Sequence, residues 1–355
     1  MTKQINGIQQ LGVGVENIDE GFSWFRQNFG MNIKIFDEKA VAELMLPHTE
    51  GQTRERHAIL AMNMQGGGGF EIWQHTGKNP VKANFTIQLG DLGICIGKLK
   101  TANIKKAFDT YTANKLEVLT SIKKNPGGVA HFFIKDAFSN IWEIVQEPEV
   151  FKKTDSLNGG ILGAVIGVKN MEQSLAVYRD ILNYNHIVYD TSETFDDWDG
   201  LPGAQNKYRR VLLKHSEKRS GAFSPLLGPS EIELVQVIDR EPVDIFKNRM
   251  WGDPGFIHLC FDINGMDDLR REVKQKGFPF TVDSAKQSES FDMGEAAGNF
   301  AYIQAPEGTL IEFVETHKVP IVKKLGIYLN LRKRNHSKPL PKWILNLFNL
   351  KKISN

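Results

Sequence analysis

The sequence predicts an α+β protein assembled from four copies of one unit, each a strand, a helix and then several further strands. Three observations predict it. Four apolar segments carry a glutamate at their centre: Gly69-Phe70-Glu71-Ile72-Trp73, Ile141-Trp142-Glu143-Ile144-Val145, Glu231-Ile232-Glu233-Leu234-Val235 and Leu310-Ile311-Glu312-Phe313-Val314. A β-branched opening strand lies well upstream of each. A segment with helical apolar spacing follows each opening.

The opening strands read Ile8–Val15, Leu92–Ile96 after Gly90-Asp91, Gly163–Val168 and Phe256–Ile263. Apolar positions 18, 22, 25 and 29 predict the first helix, with Gly30 as its stop. Positions 104, 107, 108 and 111 predict the second. Positions 171, 175, 178 and 182 predict the third, and 266, 269 and 273 the fourth, ending near Gly277. The closing strands each place a carboxylate between large apolar residues, which is costly to bury unless something neutralises it. A long repeat of this kind is a duplicated small domain, since solenoid periods run about 20–50 residues. Long units (10 to 71, 163 to 233) alternate with short ones (91 to 143, 258 to 312). The alternation predicts two tandem domains, residues 1–150 and 158–318, with a tail at 319–355. The modules fall near 5–78, 85–148, 158–240 and 253–318.

Composition narrows the class. With 41% hydrophobic and 24% charged residues the chain is ordinary for a globular protein. Net charge of +2 gives no overall field for nucleic acid, which is not an expected partner. Cys95 and Cys260 lie in apolar strands and are expected as buried, reduced thiols. No signal-like or membrane-spanning run is evident, so a cytoplasmic location is expected.

Taken together, the four openings, the Asn17-Ile18 and Asn170-Met171 helix starts, the four glutamate strands and the turns at 136–140 and 305–309 resemble the vicinal oxygen chelate superfamily. That superfamily includes glyoxalase I, bleomycin-resistance proteins and extradiol dioxygenases. The resemblance covers roughly residues 5–317. It implies βαβββ modules paired into curved mixed sheets, with a divalent metal (Fe, Mn, Ni or Zn) held by opening and closing strands. Carried over by position, it implies Gln10, Glu71, Asp91 and Glu143 in the first domain. In the second it implies Glu233, His258 and Glu312, with Gly163 at a fourth place that offers no side chain. Glu312 and Glu143 are the carboxylates it marks as catalytic. The implied function is a metal-dependent lyase, isomerase or dioxygenase acting on a small oxygen-bearing substrate. The alternative is a non-catalytic binding protein of the bleomycin-resistance type. Gly163 departs from the two-His pattern of the extradiol enzymes and argues against ring cleavage. In the first domain three convergent acids without a cation would repel one another, so an empty site there is expected to hold at least one protonated carboxyl.

Other segments carry weaker expectations. The Gly66–Gly69 run lacks the following helix of a phosphate cradle and reads as a turn. Residues 191–230 read as a long insertion, either a lid or a specificity element, with His215 as a remote substitute for the imidazole missing at Gly163. Phe246, Met250, Trp251 and Phe291 are candidates for cleft lining. From Pro320 onward there are nine basic residues and no acid, so the rest of the chain carries −7 (+2 less 9). The apolar run 343–350 is expected to dock on the chain itself or on a second copy in a homodimer. Its alternative is peripheral contact with an anionic membrane.

Overall fold

A computed structural model describes residues 3–286, 291–292, 297–322 and 327–353; the side chains of 291–292 and 320–322 and that of Ile327 lie outside the description. The expected cleft-lining side chain Phe291 and the tail lysines Lys323 and Lys324 therefore fall outside it. Four βαβββ-type modules are present in the expected order, forming two mixed sheets.

The helices form where their apolar spacing places them. The first spans Ile18–Phe29; the Asn17 side chain accepts from the backbone N–H groups of Asp19 and Glu20, and Gly30 closes it at φ 70°. Asn103 and Asn170 cap the second (Ile104–Ala113) and third (Met171–Tyr178) in the same way. The fourth, Met266–Gln275, buries Met266, Leu269 and Val273.

The sheets join the modules in a way the repeat did not reveal. The first opening strand (Gln4–Gly14) runs antiparallel to the fourth (Gly255–Asn264), so modules one and four share a ten-stranded sheet. The second opening strand (Gly93–Thr101) meets the third (Ile161–Gly167), so modules two and three share a nine-stranded sheet. Each sheet therefore draws one module from residues 1–150 and one from residues 158–318. Alternation along one chain defines which face of a strand is buried, but it does not specify which distant edge completes a sheet.

The closing strands show the period of two. Phe70, Ile72, Trp142, Ile144, Ile232, Leu234, Ile311 and Phe313 enter one core shared by both sheets. There Phe70 stacks on Trp142 with centroids 4.9 Å apart and 5° between planes. The intervening Glu71, Glu143, Glu233 and Glu312 necessarily face the opposite sides, where two separate clefts form.

The glycine run is a seam between sheets. Gly68 and Ile161 exchange backbone hydrogen bonds of 2.9 and 2.8 Å, and Gly160 N–H donates to Gly66 at 2.7 Å. A Cβ at Gly67, where φ is +112°, would stand 2.7 Å from the Gly160 carbonyl carbon. The run serves backbone contact, as a turn should. Both cysteines are buried free thiols.

The tail docks on its own chain. Leu331, Leu340 and Leu345 join a small core with Ile33, Met62, Met64, Leu226 and Val319. Leu340 N–H donates to Ala222, and Ile353 N–H to Asn32, both at 2.9 Å. Among the described residues no helix is long and apolar enough to cross a membrane.

Candidate metal centre

In each module, ladder register identifies the opening-strand residue that belongs with the closing glutamate. Glu71 lies opposite Gly12, Glu143 opposite Lys98, Glu233 opposite Val165 and Glu312 opposite Cys260. Two residues earlier on each opening strand stand Gln10, Ile96, Gly163 and His258. The two clefts therefore differ before any side chain is considered. The cleft of modules one and four has an amide and an imidazole at these places. The cleft of modules two and three has an alkyl group and a hydrogen.

In the first cleft Gln10, Glu71, His258 and Glu312 converge. His258 Nε2 lies 3.1 Å from Glu71 Oε2 and 3.3 Å from Glu312 Oε2. Gln10 Nε2 reaches the same two oxygens at 3.2 and 3.4 Å. One donor atom from each of Glu71, His258 and Glu312 falls within 4.8 Å of the others, and no other such His, Cys, Asp and Glu group occurs among the described residues. His258 is fully buried, and its Nε2 lines up with neither carboxylate for a hydrogen bond. The Trp251 indole N–H, 3.4 Å from His258 Nδ1, faces the other side of the ring. Gly12 makes room for it, since a Cβ there would sit 2.7 Å from the imidazole.

The two carboxylates are unlike. Burial pushes Glu71 up, but the adjoining His258, with Arg56 and Gln10, brings it below the usual range. Burial raises Glu312, and the neighbouring Glu71 charge adds to this against the pull of His258. Of the two carboxyls, Glu312 therefore has the higher proton affinity. Burial disfavours a charged His258, but Glu312 and Glu71 raise it overall. Placed side by side, the groups form an acid–base pair with separated affinities for a proton.

The second cleft is closed by cations belonging to the chain itself. The fully buried Lys98 Nζ lies 3.1, 2.7 and 3.1 Å from Glu143, Glu231 and Glu233. Burial alone would neutralise this ammonium, but the three carboxylates hold its pKa well above the ordinary lysine value. Arg210 donates to Glu233 at 2.7 Å and to Asp197 at 2.8 Å, with its guanidinium 3.7 Å from the Trp198 ring centroid. His131 bridges Glu143 at 2.6 Å and Asp197 at 3.3 Å. Burial pushes Glu233 up, but Arg210 and Lys98 bring it down to about 2. The positive charge that Glu143, Glu231, Glu233 and Asp197 require is here an ammonium and a guanidinium.

The expected site residues therefore sort differently. Gln10, Glu71, His258 and Glu312 come together; Glu143 and Glu233 belong to the other cleft and are tied up by Lys98, Arg210 and His131. Asp91 is in neither. Its carboxylate accepts from Arg240 at 2.7 Å and from the backbone N–H groups of Gln88 and Val243 at 2.8 and 3.0 Å, bracing a turn. His215 contacts Ser230 at 3.1 Å, with its ring centroid 4.0 Å from that of Tyr184. At Gly163 a Cβ would strike the Glu231 carbonyl at 1.7 Å, so backbone approach accounts for the glycine. Segment 191–230 holds the end of one strand, the whole of another (Tyr208–Lys214) and two short helices, and its connections serve both clefts: Asp197 and Trp198 in the second, Phe223, Leu226 and Leu227 in the first. Of the expected lining residues, Trp251 borders the first cleft, and Phe246 packs beside it.

Sequence reasoning missed Lys98, Arg210, His131 and Glu231. One signal was available: Lys98 and Lys100 interrupt an otherwise apolar opening strand, and buried lysines are rare unless paired.

Comparison with known proteins follows this architecture. No protein-family model matches the sequence, and no curated protein matches it. Among solved structures, glyoxalase I from Zea mays superposes with a TM-score of 0.53 at 11% identity, covering 88% of this chain and 92% of that one. A Bacillus subtilis protein provisionally named a dioxygenase superposes at 0.59 and 13% identity, covering 99% and 98%. Four βαβββ modules, two mixed sheets and these likenesses together give the chain the vicinal oxygen chelate fold.

Proposed function

We propose that the first cleft is a divalent-metal site and that the chain is a metal-dependent enzyme of lyase or isomerase type. The observation that carries this reading is the convergence of Glu71, His258 and Glu312 within 4.8 Å, with Gln10 touching both acids. The donor set fits such an ion. Two carboxylates balance a divalent charge, His258 Nε2 is buried without a hydrogen-bond partner among the described residues, and the Gln10 amide presents oxygen once turned about its last bond. Mixed imidazole and carboxylate donors suit Zn, Mn, Fe or Ni.

A bound divalent ion polarises substrate oxygens and stabilises negative charge developing on them. The protein supplies the rest. Glu71 remains charged and holds its place. Glu312, whose proton affinity burial raises, would accept and return a proton on the carboxylate oxygen left free of the ion. Tyr302 adjoins Glu312, and burial first, then the Glu312 charge, keeps its phenol protonated as a donor. Four protein donors favour proton transfer over oxygen activation.

Titration calorimetry with Mn(II), Zn(II) and Ni(II) tests the site. The expected result is one ion per chain, lost in His258→Ala and retained in Glu233→Gln. Two ions per chain, or an unaffected His258→Ala, would refute it. The reaction type is tested by deuterium uptake from solvent into α-hydroxy- and α-oxo-carbonyl compounds. Uptake should vanish in Glu312→Gln.

A further inference from the structure

We propose that the first cleft takes an amphiphile, with a compact oxygen-bearing head at Gln10, Glu71, His258 and Glu312 and an aliphatic or isoprenoid tail lying under residues 340–351. The head's placement rests on the metal reading above; the tail's path rests on the cavity alone.

One continuous cavity of about 430 Å³ joins Glu71 and Glu312 to the C-terminal segment. Its volume lies in the range that encloses a drug-sized ligand and far exceeds what a small oxo acid fills. The two ends differ in chemistry. Gln10, Glu71, Glu312 and Tyr302 form one end. Met62, Leu226, Val319, Leu340, Ile344 and Phe348 form much of the remainder. Two of the charged groups along the wall are already engaged: Arg56 with Glu38 at 2.8 Å, and Lys351 Nζ with the Ile35 carbonyl at 2.9 Å. Beyond the acid cluster, the walls named here favour hydrocarbon. Apolar cavities of this kind hold water poorly and bind apolar guests.

The C-terminal segment has two faces. The helix Lys342–Asn346 and the turn Leu347–Lys351 direct Ile344, Leu347 and Phe348 to the cavity. Val41 and Leu350 both line the cavity and are 49% and 82% exposed, which marks its mouth. Trp343, at the start of the same segment, is 62% exposed. Lys338, Lys342 and Lys352 are exposed around them, and no acid follows Glu315. An amphiphile would reach this mouth either as a monomer or from an anionic bilayer.

Calorimetry on the Mn(II)-loaded protein with n-alkyl hydroxamates, from acetyl to dodecanoyl, tests the proposal. Affinity is expected to rise about fourfold per methylene until the groove is full. Leu226→Trp and Ile344→Glu should flatten the series while leaving acetohydroxamate binding unchanged. A flat series in the unaltered protein, with acetohydroxamate still bound, overturns the amphiphile and spares the metal site. If acetohydroxamate fails to bind, the metal reading falls. Binding of cis-parinaric acid to metal-free protein, weakened by Leu226→Trp, would then still support the groove, and its absence would overturn the groove too. Flotation with phosphatidylglycerol vesicles, abolished by Trp343→Ser with Leu350→Ser, supports delivery from an anionic bilayer. Failure to float overturns that source and supports a monomeric one.

Discussion

The Lys98 ammonium lies 3.1 Å from the Glu143 carboxylate, directly opposite it on the parallel ladder. At the same ladder place in the other cleft, Cys260 stands opposite Glu312. A thiol there, whose proton burial and the Glu312 charge hold firmly, leaves Glu312 and Glu71 without a permanent counter-ion. One cleft is neutralised by the chain; the other is left to be neutralised by something else.

Lys98→Met is expected to destabilise the protein by about 3–5 kcal/mol, because three carboxylates lose a buried partner. Urea unfolding measures it. A change below about 1 kcal/mol would mean that Arg210, His131 and Lys214 suffice without Lys98.

His131 imposes a pH signature on the same cleft. Burial alone would lower it, but Asp197 and Glu143 raise it to about 9, against an unfolded value near 6.5. The raised folded value means its contribution is complete below about pH 6.5 and lost as pH climbs through about 9. The full window is worth on the order of 3 kcal/mol. His131→Asn should therefore cost much at pH 6 and little at pH 9.5. Equal costs at both pH values would contradict a charged His131.

Gly12→Ala tests the positioning of His258. The added Cβ meets the imidazole and the Ile257 side chain at 2.7 and 2.6 Å. Metal affinity should fall at least about tenfold, the scale seen when support of a ligand is lost, while the far-UV spectrum is kept. Unchanged Mn(II) affinity would place His258 outside the metal shell.

Leu345→Ala tests tail docking. Leu345 is fully buried in the small core with Ile33 and Val319. The expected cost is about 2–5 kcal/mol if the tail unfolds with the body. Fluorescence of an added hydrophobic dye should rise as the cavity loses its cover. No change in either would show that the tail opens independently of the fold.

Much was legible along the chain. Strand, helix and glutamate recur with local signals: alternation of two at Phe70-Glu71-Ile72, apolar spacing at Ile18–Phe29, side-chain caps at Asn17 and Asn170. These are short-range regularities, so one sequence suffices to read them. Glu71 and Glu312 stood out from the same strand pattern, whereas Gln10 and His258 were candidates through the positions that the family resemblance implies. Asp91 was misplaced because counting from a turn cannot detect where ladder register begins; register puts Ile96 there.

The sequence by itself determined the repeated module, the alternation that aims each glutamate away from the shared core, and the residue types available for a site. Only tertiary structure decided that Gln10 and Glu71 share a cleft with His258 and Glu312, while Glu143 and Glu233 share one with Lys98. The reason is physical. Which face of a strand is apolar is a property of neighbours two residues apart, but which edge it pairs with is settled between segments some 250 residues apart, such as Gly12 and His258, by the fit of whole modules. That choice separated an acid cluster closed by lysine and arginine from one left open at the end of an apolar cavity.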